Sequence, residues 1–255
     1  MHYQTMAFEK RGHVTYVVLN GAQTANAIDD EMAAEFRDAC RVIAEDDDTR
    51  VAVVSGSGAS FSTGSKLRVL PQAGLASLLE RHRVAEAVGK LEKPVIASIN
   101  GDALGQGLEV ALACDIRIGA DSAKLALDQI TYGQLPWDGG TQRLPRIIPK
   151  SAALEMVLTG RIIDAQEAFR LCLLNMVVPA AQLTQKVDEL AQKLGNFAPI
   201  AARYAKEAVN RGLDMTLEHG GRLEADLAIL MHTTEDRVEG ISAFLKRRTP
   251  QFKGK

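Results

Sequence analysis

The chain has 255 residues, 46% of them hydrophobic and 24% charged, and its formal net charge at pH 7 is −2. This composition is typical of a globular protein with a large core, and the small net charge does not favour binding to nucleic acid or to an anionic membrane. No apolar run approaches the roughly 18 residues of a membrane-spanning helix, and the N-terminal residues lack the pattern of a signal peptide. We therefore expect a cytoplasmic protein without nucleic-acid or membrane partners.

Cysteine and histidine usage argues against a metal site. Cys40, Cys114 and Cys172 lie far apart in apolar, helical contexts, which indicates buried thiols in a reducing compartment. The five histidines show no ligand spacing. We expect no bound metal.

The first half of the chain alternates predicted strands with predicted helices. β-Branched or wholly apolar runs predict strands, and apolar residues at helical spacing predict helices. In chain order these are a strand at 13–19, a helix capped by Asp29 or Asp30, a strand at 51–54, a loop at 56–64, a helix at 75–91 and a strand at 95–99. Shorter strands are predicted at 116–118 and 125–130. Such alternation favours an α/β fold with a largely parallel sheet.

The second half is predicted to be nearly all helical. The predicted helices cover 151–158 with Gly160 as C-cap, a segment opened by the capping pair Asp164 and Glu167, and 180–194, 199–210, 213–231 and 234–247. These helices have no sheet of their own to cover. They must fold over the first sheet or pack on another subunit.

Residues 100–140 carry the densest chemical signal. A glycine-rich turn, 101–107, opens directly into an apolar helix that has Glu109 in its first turn. The N–H groups at the start of a helix attract negative charge, and a carboxylate beside them suits acyl chemistry, which needs oxyanion donors and a base. A second polar group follows, formed by Gln129, Trp137 and Asp138.

Several ordered segments resemble the crotonase superfamily, also called enoyl-CoA hydratase/isomerase. They are Phe61–Gly64, Lys93–Ala97, Asn100–Glu109, Ala113–Asp115, Gly139–Leu144, Leu158–Gly160 and Thr234–Phe244. The resemblance implies a spiral of ββα units with a C-terminal helical region, acyl-CoA thioester substrates, and a homo-oligomer that is a trimer or a dimer of trimers. On this basis we expect a core domain at 1–195 and a helical trimerisation region at 196–255.

The same resemblance implies roles for individual residues. The backbone N–H groups of Thr63 and Gln106 would form the oxyanion hole, and Glu109 matches the first of the two catalytic glutamates of the hydratases. Contacts to the acyl group or coenzyme A (CoA) are expected from Ala25, Ala27, Ser62, Ser65, Lys66, Leu67, Gly105, Trp137, Phe244 and Arg247. No redox cofactor is expected, since CoA is part of the substrate.

The second catalytic glutamate of the hydratases falls on Gln129 in this chain. An amide binds water or a carbonyl but does not transfer a proton near neutral pH, and a general acid or base is worth about 10²–10⁴-fold in rate. Asp138 is the candidate substitute, with a turn or capping role as the alternative. Lys66 is either a partner for a substrate carboxylate or CoA phosphate, or a solvated loop residue.

We therefore expect an enoyl-CoA hydratase-type lyase or isomerase in which Gln129 replaces one glutamate. A decarboxylase or hydrolase that uses Lys66 or Asp138 is the second hypothesis. A catalytically weak acyl-CoA-binding scaffold is the third.

Overall fold

The computed structural model describes residues 2–66 and 74–255. The strands are β1 (Met6–Arg11), β2 (Val14–Leu19), β3 (Val51–Gly56), β4 (Ser60–Ser62), β5 (Val95–Ile99), β6 (Asp102–Leu104), β7 (Ile116–Ala120), β8 (Lys124–Ala126), β9 (Ile163–Asp164) and β10 (Met176–Val178). The helices are α1 (Asp30–Glu45), α2 (Leu75–Arg81), α3 (Val84–Gly89), α4 (Gln106–Ala113), α5 (Gly140–Ile147), α6 (Lys150–Thr159), α7 (Ala165–Arg170), α8 (Leu183–Gly195), α9 (Pro199–Gly212), α10 (Leu217–Met231) and α11 (Glu235–Leu245).

The larger sheet has six strands in the order β1-β2-β3-β5-β7-β10. The β1–β2 pair is antiparallel and the other neighbours are parallel, which confirms the predicted parallel sheet. Strands β3 and β5 are almost wholly buried because helices cover both faces of this sheet, as the continuous apolar runs predicted.

The smaller sheet positions the site. Its four short strands run in the order β4-β6-β8-β9, with β4, β6 and β8 parallel. Strands β4 and β6 lie in segments that the sequence predicted as a loop and a turn, because a strand of three residues carries too little periodicity to be recognised. The C-terminal ends of parallel strands meet at one edge of a sheet, so the segments after β4, β6 and β8 are brought together.

Helix α4 follows β6 directly, and all eight of its residues are buried. It packs against α3 and α5, so its charged residue, Glu109, lies inside the protein. A helix that is apolar around its whole circumference is stable only in such surroundings.

The single helix predicted at 75–91 is wrong. The chain forms α2 and α3, which are separated at His82 and Arg83. The His82 carbonyl accepts a hydrogen bond from Gln106 Nε2, and the Asp138 carboxylate accepts from the first N–H groups of α3. Tertiary hydrogen bonds therefore satisfy the groups that a continuous helix would have paired.

The C-terminal helices contact the core through a few polar links. Lys206 Nζ on α9 donates to the Lys93 carbonyl at 2.9 Å and to Asp115 Oδ2 at 2.7 Å. Large apolar side chains at the C-terminal end stay exposed, including Leu217 at 94% and Phe244 at 82%. The boundary at residue 195 coincides with the end of α8, and the trimerisation role of 196–255 stays a prediction. Among the described helices, none is long and apolar enough to cross a bilayer.

Replacing Lys206 with methionine should lower the free energy of unfolding by about 2 kcal/mol, because the largely buried Asp115 carboxylate and Lys93 carbonyl lose a charged donor. Urea denaturation measures the change. Lys186→Met is the matched control, since Lys186 forms an exposed ion pair with Glu189, and it should cost less than about 0.5 kcal/mol. Equal losses in the two variants would contradict the assigned anchoring role.

Candidate active site

The site is built around the buried carboxylate of Glu109. Its Oε1 atom accepts hydrogen bonds from the backbone N–H groups of Asp138 and Gly140, each at 2.8 Å. Its Oε2 atom accepts from Gln129 Nε2 at 3.1 Å. A Cβ atom at Gly140 would lie 3.0 Å from Oε1, so glycine permits this close approach. These three donors fix the orientation of the carboxylate.

Burial raises the pKa of Glu109 to about 8. The N–H groups of Gly140 and Asp138 oppose this shift, and the negative charge of the Asp138 side chain adds to it. Loss of hydration penalises the charged form, and a carboxyl group with this pKa can both accept and release a proton near neutral pH. The arrangement suits a general acid–base.

Gln129 lies beside Glu109, as the sequence predicted. It begins a short 3₁₀ turn, Gln129–Tyr132, so the strand predicted at 125–130 ends earlier, at Ala126. Its amide N–H₂ binds Glu109, and its Oε1 atom is buried with no partner among the described residues. The amide can hold a polar ligand at this oxygen, but it does not exchange a proton with it.

Of the two predicted oxyanion donors, the structure places the Gln106 N–H at the start of α4, where it donates to no acceptor in residues 2–66 or 74–255. The preceding Gly105 has φ +52° and ψ −123°, a conformation that favours glycine. The Thr63 N–H, in contrast, donates to the Ala25 carbonyl at 3.1 Å. This second donor is engaged within the fold, and the role of Thr63 toward a thioester oxygen stays a prediction.

The loop that holds Thr63 does touch the start of α4. A Cβ atom at Gly64 would lie 2.8 Å from the Leu104 oxygen and 3.0 Å from the Gln106 nitrogen. Pairing of the short strands β4 and β6 explains this contact. The segment 63–65 therefore forms one wall beside the Gln106 N–H.

The Asp138 carboxylate is bound by donors of the protein itself, whereas a catalytic acid would be open to the substrate. Its carboxylate is buried and accepts from the N–H groups of Ala85 at 2.7 Å and Glu86 at 3.1 Å, and from Gln106 Nε2 at 3.1 Å. Burial raises its pKa above the ordinary range. The capping alternative from the sequence therefore describes this side chain, since protonating a ligand would disrupt three bonds that hold α3 and Gln106.

The predicted CoA-contacting loops are held against each other. The Ile28 N–H donates to the Gly64 carbonyl and the Lys66 N–H to the Ile28 carbonyl, which pairs Ile28 with Ser65. The Ser62 hydroxyl donates to the Asn26 carbonyl at 2.8 Å. Ala25 and Ala27 flank Asn26 in the same loop. The two loops thus form one continuous edge of the site.

Lys66 lies on that edge, where its ammonium group is paired within the protein. Its Nζ atom donates to Asp29 Oδ2 at 2.7 Å, and both side chains are partly exposed. Leu67, the next predicted contact, lies outside the described residues.

The last three predicted contacts lie in two different parts of the fold. Trp137 is half-buried and lies beside Asp138, in the loop before α5 that donates a hydrogen bond to Glu109. Phe244 and Arg247 are exposed at the end of α11, apart from the hydrogen-bond network around Glu109. Their predicted contact with CoA across a subunit boundary stays a prediction.

His82 is a residue of the site that the sequence did not predict. This residue is fully buried, and its Nε2 atom lies 2.8 Å from Asp30 Oδ1. Its ring meets the Trp137 ring edge-on with the centroids 6.5 Å apart. No local pattern marks it, because its partners come from α1 and from the loop before α5.

Unpaired polar atoms concentrate around the start of α4. Within the described residues six buried side-chain polar atoms lack a hydrogen-bond partner, and four of them surround this site: His82 Nδ1, Gln106 Oε1, Asp128 Oδ1 and Gln129 Oε1. A buried polar atom without a partner costs about 1–3 kcal/mol. Such a concentration is typical of a site that binds a polar ligand.

The substitution Glu109→Gln should make stability less dependent on pH. The unfolded chain loses the Glu109 proton near pH 4.5, whereas the folded protein holds it up to about pH 8. The free energy of unfolding of the wild type therefore falls as pH rises through this window, whereas that of the variant lacks this loss. Between about pH 5 and about pH 9 the variant should gain on the order of a few kcal/mol relative to the wild type. Denaturation of both proteins at about pH 5 and about pH 9 measures the gain. A difference that is constant across pH would exclude a raised pKa at Glu109.

Comparison with known proteins assigns the chain to a family. The family model for enoyl-CoA hydratase/isomerase matches residues 9–255. The (E)-benzylidenesuccinyl-CoA hydratase of Thauera aromatica is 39% identical over 98% of this chain and 99% of its own. The 2,3-dehydroadipyl-CoA hydratase of Escherichia coli is 36% identical over 96% of this chain and 97% of its own.

Structural similarity agrees with the sequence matches. The crystal structure of an enoyl-CoA hydratase from Bacillus anthracis superimposes with a TM-score of 0.96 at 38% identity, and covers 99% of this chain and all of its own. The crotonase-like fold predicted from the sequence is therefore confirmed. The chain belongs to the enoyl-CoA hydratase/isomerase family of the crotonase superfamily and is an enzyme of the hydratase/isomerase type.

Proposed function

We propose that the protein hydrates 2-enoyl-CoA thioesters with a single acid–base carboxylate, Glu109. The observation that carries this proposal is the fixed carboxylate, with Oε1 held by two backbone N–H groups and Oε2 directed at Gln129. The Gln106 N–H, at the start of the same helix, supplies a donor for the thioester oxygen.

In the proposed reaction, Glu109 accepts a proton from water as the water oxygen forms a bond to Cβ. The electron pair of the double bond moves toward the thioester carbonyl, whose oxygen becomes an enolate held by the Gln106 N–H. Glu109 then returns the proton to Cα, and the enolate electrons form the new C–H bond. Gln129 orients the water through its unpaired Oε1 atom and exchanges no proton.

Isomerisation of the double bond is the second candidate, and the same observation favours it. A single base can move a proton between the Cα and Cγ carbons without a second acid. Decarboxylase and hydrolase alternatives have less support, because Lys66 is paired with Asp29 and the Asp138 carboxylate caps α3. The names of the relatives support hydration, since those compared above are hydratases.

We also propose that the chain acts as a homotrimer or a dimer of trimers. Support comes from the exposed apolar side chains of the C-terminal helices, since a large apolar surface commonly marks a contact between subunits.

The substitution Glu109→Gln should lower the rate of crotonyl-CoA hydration by about 10²–10⁴-fold, because the amide cannot shuttle the proton. Loss of the enoyl absorbance measures the rate. Repeating the assay in heavy water separates the candidates, since isomerisation keeps the double bond and introduces deuterium without adding water. An unchanged rate in the variant would exclude Glu109 as the acid–base.

The substitution Gln129→Glu should raise the rate of crotonyl-CoA hydration, because it adds a second proton-transferring group about 3 Å from Glu109. Gln142→Glu, on an exposed position of α5, is the matched control and should leave the rate unchanged. No increase with Gln129→Glu would remove Gln129 from the position of the second acid.

A further inference from the structure

Two of the unpaired atoms belong to residues that contact each other at the start of α4. They are His82 Nδ1 and Gln106 Oε1. Gln106 Nε2 donates to the His82 carbonyl at 2.5 Å, so the amide rests against the His82 backbone. The Trp137 ring lies against the His82 ring. We call this cluster of His82, Gln106 and Trp137 the His82 recess.

The hydrogen bonds that His82 and Gln106 already make determine which of their atoms remain available to a ligand in the recess. Gln106 Nε2 has two acceptors, the His82 carbonyl and Asp138 Oδ2, so its amide orientation is fixed and Oε1 is left as an acceptor. His82 Nε2 faces the Asp30 carboxylate and therefore carries a hydrogen. In the neutral ring Nδ1 is then a second acceptor.

Both side chains are almost completely buried, with His82 at 0% and Gln106 at 2% exposure. Buried acceptors are normally paired, and the described part of the protein supplies no donor for either atom. Trp137 is the half-buried member of the cluster. The recess is thus arranged for a group that donates a hydrogen bond.

The surrounding charges make a carboxylate a poor occupant. Asp138 Oδ2 lies 3.1 Å from Gln106 Nε2, and the Asp138 backbone connects the recess to the buried Glu109 carboxylate. Arg143 donates to the Asp138 carbonyl at 2.7 Å, and Arg83, which follows His82 in the chain, is paired with Glu86 at 2.8 Å. A substrate carboxylate would meet the like charge of Asp138 in these buried surroundings.

We propose that the acyl group of the natural substrate carries a hydroxyl beyond Cβ, and that this hydroxyl binds in the His82 recess by donating to Gln106 Oε1 or His82 Nδ1. The recess thereby selects hydroxylated enoyl-CoA thioesters over purely alkyl ones and over those with a free carboxylate. This inference rests on the proposed hydration activity and specifies its substrate class.

The test compares enoyl-CoA substrates with the same six-carbon chain. They are hex-2-enoyl-CoA, its 4-hydroxy and 6-hydroxy derivatives, and 2,3-dehydroadipyl-CoA, which ends in a carboxylate. A hydroxyl that reaches the recess should raise kcat/KM about tenfold over hex-2-enoyl-CoA, the value of one net hydrogen bond to a buried acceptor. The carboxylate should be the poorest substrate of the set.

Two variants then connect this selectivity to the recess. His82→Phe and Gln106→Met each remove an acceptor and keep a side chain of similar size, and Gln106→Met also removes the donor to the His82 carbonyl and Asp138. Each variant should reduce the ratio of kcat/KM between the hydroxylated and the alkyl substrate. His219→Phe and Gln185→Met, both at exposed positions, are the matched controls and should keep the ratio of the wild type. Using a ratio cancels any general loss of activity, and circular dichroism checks folding.

The outcomes separate the two proposals. If none of the four substrates is hydrated, the proposed function fails. If hex-2-enoyl-CoA is hydrated and neither hydroxylated derivative is preferred, the recess inference fails alone. A preference for the carboxylate, or a hydroxyl preference that survives in both His82→Phe and Gln106→Met, would also overturn it.

Discussion

The site depends on one buried carboxylate held by the backbone. Glu109 lies inside an entirely buried helix, where a charged group is costly unless donors surround it. The donors are the N–H group of Asp138, in the loop before α5, and that of Gly140, the first residue of α5. Desolvation keeps the pKa of Glu109 high although these donors oppose the shift, and a carboxyl group with this pKa suits proton transfer.

Asp138 shows how a single residue can organise two parts of a site. Its backbone N–H binds Glu109, while its carboxylate holds the start of α3 and the side chain of Gln106. Glu109 and the start of helix α4 are therefore positioned by one loop. An acid with so many structural partners is poorly suited to protonating a substrate, which leaves Glu109 as the proton-transferring group of the proposal.

The smaller sheet explains why residues distant in sequence meet. Strands β4, β6 and β8 each have three residues, yet their parallel pairing places the segments after them at one edge. Gly64, Gln106 and Gln129 follow these strands closely. The proposed chemistry is thus arranged at the ends of three very short strands.

Sequence patterns determined the elements whose signal is local. The strands at β3 and β5, the N-cap at Asp29 and the C-cap at Gly160 follow from composition and neighbouring residues, and so does the placement of Glu109 in the first turn of a helix. The family resemblance added the fold and the general reaction, because many ordered motifs are more specific than any one of them.

Tertiary structure decided what depends on contacts between distant segments. The break between α2 and α3, the cap provided by Asp138, the bond from Thr63 to Ala25 and the burial of His82 join residues some 24 to 53 positions apart. Each of these groups is a generic donor or acceptor whose partner the local sequence does not specify. The folded chain alone sets whether such a group pairs within the protein or stays open to a ligand.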